Sequence, residues 1–79
     1  MWDFEIQLKS VQDVQEFVAL ATAQSFPVLA GTDRYKVSAK CFMEMFCLDF
    51  TRPLYTYVDC TEAEFRKFCK AMEQFAVNP

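Results

Sequence analysis

A chain of 79 residues without a single histidine must do any chemistry it does with carboxylates, thiols or hydroxyls. The absence removes Ser-His and Cys-His nucleophile pairs. It also removes imidazole as a metal ligand. The thiols are Cys41, Cys47, Cys60 and Cys69, and no two stand in a C-x-x-C pair. Their first reading is four small buried hydrophobes in a reducing compartment. A disulfide, a metal site and a redox thiol are the alternatives. The carboxylates that cluster, Asp13 with Glu16 and Glu62 with Glu64, fall where helices should start. One glycine in the whole chain cannot build a phosphate-cradling loop. The expectation is a protein that is not an enzyme and needs no cofactor and no metal.

The elements that would position these residues can be taken in order. Trp2, Phe4, Ile6 and Leu8 alternate with Asp3, Glu5 and Gln7, the pattern of a half-buried strand over 2–8. Ser10 with Asp13 three residues on forms a helix start, a capping box with Asp in place of Glu. Val11, Val14, Phe17, Val18, Leu20 and Ala21 then mark one apolar helical face, ending near Gln24 or Ser25 because Pro27 disfavours helix at Phe26. A strand over 27–30, turn residues Gly31-Thr32-Asp33, and a strand over 34–38 with Tyr35 and Val37 on one face read as a hairpin. Residues 39–48 carry Phe42, Met45, Phe46 and Leu48 at near-helical spacing. Residues 54–58 read as a last strand. Thr61 and Glu64 form a full capping box before Phe65, Phe68, Cys69, Met72 and Phe75.

The order is β-α-β-β-α-β-α: an α+β fold of four antiparallel strands covered on one face by three helices, expected as a single domain over 1–79. With 53% hydrophobic residues, such a small domain has the means to build a core. The eight basic residues are scattered in a chain of net charge −3, which speaks against a nucleic-acid footprint. No apolar run approaches the roughly 20 residues of a membrane helix. The acidic, alternating N-terminus is unlike a signal peptide. A cytoplasmic protein is expected.

Element order and one segment together resemble a known family. The stretch Val37-Ser38-Ala39-Lys40-Cys41-Phe42-Met43-Glu44-Met45-Phe46-Cys47-Leu48 is similar to V-x-x-K-S-I-M-G-x-M-S-L of the HPr family, the histidine-containing phosphocarriers of the bacterial sugar phosphotransferase system. Val37, Lys40, Met43 and Leu48 match, Phe42 stands for Ile, and the likeness runs from Phe4 to Phe75. It implies an open-faced β-sandwich of HPr type. It also shows what is missing. The family's G-x-H-A-R-P segment corresponds to Val11-Gln12-Asp13-Val14-Gln15-Glu16. Asp13 falls near the phosphorylated histidine, Gln15 near the arginine that holds the phosphoryl group, and Glu16 near the proline. Cys41 replaces the serine that some members phosphorylate for regulation. Phosphohistidine is excluded, and two carboxylates at the helix start repel an anion that its N–H groups would otherwise attract. An acyl phosphate on Asp13 would lack a basic clamp, and Asp13 is better explained as a capping residue.

In the family, the start of the first helix and the short second helix dock partner proteins. The resemblance carries that face onto Gln12, Asp13, Gln15, Glu16, Met43, Glu44 and Phe46. Met43 and Phe46 could form an apolar centre ringed by Glu16 and Glu44. They could equally be ordinary packing, because they lie only about 100° round the helix from the core pair Phe42 and Met45. Two functions follow. One is a histidine-less HPr-like binding or regulatory module, with phosphotransferase-system or other regulatory proteins as partners. The other is a scaffold put to an unrelated use, as a self-associating domain or a thiol sensor.

Overall fold

A computed structural model describes residues 2–77. Met1, Asn78 and Pro79, which the expected 1–79 domain also includes, lie outside the described residues. The elements are β1 (Trp2–Ile6), α1 (Val11–Thr22), β2 (Val28–Gly31), β3 (Lys36–Ser38), α2 (Phe42–Met45), β4 (Leu54–Val58) and α3 (Glu62–Ala71). They make a small α+β fold in which one antiparallel sheet of order β1-β4-β2-β3 carries three helices. The arrangement is compatible with an open-faced sandwich.

Strand register sorts side chains onto two faces, because successive residues point opposite ways. Phe4, Thr56, Ala30 and Val37 share one row, flanked by Ile6 with Leu54 and by Val58 with Val28. These face the helices and are buried, apart from a partly buried Phe4. The interior is completed from the helices by Val14, Phe17, Ala21, Met45, Phe68 and Met72, and by Phe75 just beyond α3. Phe68 meets Phe4 and Phe26 edge-on, with ring centroids 5.9 and 5.6 Å away. Phe17 meets Phe75 in the same way at 6.1 Å. Trp2 stacks on Phe65 at 4.8 Å and donates its indole N–H to the Cys60 carbonyl, fastening β1 to the start of α3. One interior group has no hydrogen-bond partner among the described residues, the hydroxyl of Thr56.

The capping box expected at α3 is present in full, and the one expected at α1 only in part. Thr61 and Glu64 satisfy each other's backbone N–H reciprocally. At α1, Ser10 accepts from the Asp13 N–H, but the Asp13 carboxylate accepts from Lys9 rather than from Ser10.

Several boundaries differ from the periodicity. β1 ends at Ile6, whose other side bridges antiparallel to Ala76 with Gln7 donating its N–H to the Phe75 carbonyl, although Leu8 remains buried. α1 ends at Thr22. Val11, counted on its apolar face, is 50% exposed because it sits in the first turn, beyond the edge of the core. β2 starts at Val28 and not at Pro27, which has no N–H to give a ladder. The helix expected over 39–48 contracts to Phe42–Met45. The Ser38 hydroxyl and carbonyl accept from Lys40 and Cys41 respectively, making a turn of the residues before it.

Candidate functional site

Two side chains, Lys40 and Gln7, set α2 against α1 end to end. Before α2, the Lys40 ammonium donates to the Gln24 carbonyl just past the end of α1, at 2.8 Å. After α2, the Gln7 side-chain amide donates to the carbonyls of Phe50 and Thr51, at 3.2 and 3.3 Å. Gln7 stands three residues before the α1 cap. The two helices therefore run in opposite senses, and the segment leaving α2 arrives near the start of α1. Lys40 matched the family segment in the sequence, and in the structure it serves as this tie.

α2 is a single turn. Its cap residue, Cys41, makes no side-chain capping bond. Met45 is fully buried and Phe42 partly so. Met43 is 76% exposed and Phe46 37%. Phe46 is held by neighbours on both sides, Phe42 at 4.5 Å and Phe50 at 6.3 Å, each roughly edge-on. The sequence left Met43 and Phe46 open between packing and surface. The structure sets both at the surface, backed by an aromatic run reaching into the connection to β4. Glu44 and the Cys47 thiol are exposed beside them, the thiol directed at the Met43 carbonyl.

The α1 residues divide. Gln12, Gln15 and Glu16 are exposed, while Asp13 is half-buried and occupied by the Lys9 N–H. Glu16 lines a shallow groove with Ala19, Leu20 and Gln74, on the flank toward the turn that follows α3. At 100° per residue, Val11, Gln15 and Val18 occupy the opposite flank of α1. An exposed valine beside Gln15 thus adds to the apolar surface near the helix start. Periodicity had assigned Val11 to the core, and only its place in the first turn hinted otherwise.

Sequence reasoning also missed a cleft of about 330 Å³ at the end of the sheet, between the β2–β3 turn and the segment after α2. Tyr35, Leu48, Pro53 and Leu54 give it apolar walls, and Asp49 and Arg52 stand at it 3.4 Å apart. The Thr51 hydroxyl above all, then the Thr51 N–H and Arg52, hold the Asp49 carboxyl below its ordinary range against the opposing effect of desolvation. The thiols of Cys60 and Cys69 are pushed up, chiefly by burial. Glu64 and Asp59 add to the effect at Cys60. Neither is primed as a nucleophile. Among the described residues no group of three or more Cys, Asp or Glu could hold a metal ion. No described helix is long and apolar enough to cross a membrane. The chain matches no protein-family model and no curated protein sequence.

Proposed function

We propose that this chain is a non-catalytic, HPr-like binding module that cannot carry phosphohistidine. Its docking surface is the exposed Met43–Phe46 face of α2, extended by Gln12 and Gln15 at the start of α1. The observation that carries the reading is the exposure of Met43 beside Phe46 on a one-turn helix whose other apolar residues are turned inward. A flexible thioether next to an aromatic ring anchored by two others is a surface that adapts to a partner while keeping one rigid contact. The element order β-α-β-β-α-β-α and the segment from Val37 to Leu48 support the HPr-type arrangement and, with it, proteins of the sugar phosphotransferase system as the first partners to try. Engagement of Asp13 in the α1 cap supports a role without phosphate: its carboxylate is committed to a backbone N–H and excludes an anion from the helix start.

The test is titration calorimetry of the purified chain against purified phosphotransferase-system proteins. The double variant Met43→Asp, Phe46→Asp, shown by circular dichroism to be folded, serves as the comparison. Binding to one of them, weakened tenfold or more in the variant, is the expected result. Equal binding by both forms, or binding to none, would remove the reading.

A further inference from the structure

Among the described residues, the side of the sheet away from the helices has no covering layer, and its two rows of side chains differ from edge to edge. One row runs Asp3, Tyr57, Leu29, Ser38; the next runs Glu5, Tyr55, Gly31, Lys36. The β1 edge is acidic, the centre is aromatic and aliphatic, and the β3 edge carries the Lys36 ammonium. Tyr55 is 43% exposed and stands next to Gly31, which has no side chain. Gly31 is fixed there by its backbone. Its φ is 146°, and a Cβ would meet the Tyr35 carbonyl oxygen at 2.1 Å. The face therefore presents an exposed Tyr55 ring beside a position that has no side chain and is closed by the Tyr35 backbone.

We propose that two copies of the chain associate through this open face, about a two-fold axis parallel to β4. That operation lays β1 of one copy over β3 of the other and β4 over β2. Glu5 then meets Lys36 of the second copy, and Tyr55 lies over the flat backbone at its Gly31, each contact occurring twice as an isologous interface requires. Tyr57 meets Leu29 of the second copy between them. The other in-plane two-fold, across the strands, would stack β1 on β1 and set Asp3 against Glu5 of the second copy, so like charge excludes it. Lys36 is held ready: its ammonium lies 4.8 Å from the centre of the Tyr57 ring and donates to the Asp33 carbonyl, with further N–H groups free to donate. The surface lies across the sheet from α2, so the Met43–Phe46 face stays accessible in the dimer.

A face four short strands wide is at the small end of specific interfaces, so the expected dimer is weak, with a Kd on the order of 10–100 µM. Sedimentation velocity of the intact chain from about 5 µM to about 1 mM brackets that range. Glu5→Lys and Lys36→Glu each convert two attractive contacts into two repulsive ones, and each is expected to weaken dimerisation at least about tenfold. An equimolar mixture of the two variants restores both opposite-charge contacts and is expected to dimerise like the unaltered chain. The double variant Glu5→Lys, Lys36→Glu is expected to dimerise too, which separates the pairing from any loss of folding. A chain monomeric across the whole range would overturn the proposal. So would single variants that dimerise as the unaltered chain does, or variants that fail to complement each other.

Discussion

α3 and α2 are both helical segments rich in Phe, Met and Cys, and they use those residues in opposite ways. α3 carries a reciprocal capping box and an exposed Glu62–Arg66 pair at 2.6 Å. It turns Phe68 inward, Met72 and Phe75 follow on the same side, and Phe65 and Cys69 are partly covered. α2 has one turn, no side-chain cap and a divided apolar set, with Met45 and Phe42 inside and Met43 and Phe46 outside. A helix that spends its apolar residues on the core can be long and self-sufficient. One that keeps them at the surface must be held by others, here by the Lys40 and Gln7 ties at its two ends. The difference separates residues that build the fold from residues left over for recognition.

The largest test of that division is Phe68→Ala, which empties a site shared with Phe4 and Phe26. It is expected to cost about 3–5 kcal/mol in urea unfolding. Met43→Asp is expected to stay within about 0.5 kcal/mol of the unaltered chain in the same measurement. A comparable loss from both would break the comparison. Next in size, Thr61→Ala removes the α3 cap and is expected to cost about 1 kcal/mol, a melting-temperature drop of about 4–8 °C. Thr56→Val, at the orphaned hydroxyl on the interior face, is expected to gain about 1 kcal/mol by the same method, since it relieves an unpartnered buried polar group.

The smallest effects concern the thiols. Burial favours the neutral thiol at Cys60 and Cys69, so their folded pKa lies above the 9.0 of an ordinary cysteine. The stability they contribute is fully present below that value and is lost as pH rises through the higher folded one. A slight fall in melting temperature on the alkaline side is expected, reduced in Cys60→Ala. Alkylation followed by mass spectrometry at neutral pH is expected to label the exposed Cys47 before Cys60 and Cys69.

Where a local rule governs, the sequence is enough to place an element. Thr61-Glu62-Ala63-Glu64 specifies a helix start by itself, and the β-branched and aromatic residues of 54–58 specify a strand. Legibility fails where a distant group decides. The short α2 follows from the Ser38 turn and from a lysine reaching back to Gln24, neither of which leaves a trace in hydrophobic periodicity. Alternation set Asp3 and Glu5 outward, yet nothing local says that Lys36 completes the same face. That depends on β1 pairing with β4 and β4 with β2, a register fixed only when the whole sheet forms. The cleft by Leu48 and Leu54 is hidden for the same reason, being the space between two loops far apart in sequence.

That sheet order has a consequence for how the molecule comes into being. Trp2 has no strand partner until Val58 exists, since β1 pairs with β4 and its other side bridges through Ile6 to Ala76, which comes later still. During synthesis the first strand must wait while most of the chain is made, on the order of several seconds at about 5–20 residues per second. The hairpin of β2 and β3 can close early, but the sheet cannot be joined to β1 in stages. Acquisition of the native state is thus expected to be late and concerted, and slower than in a helical bundle of equal length, because so much of the pairing links segments far apart in sequence.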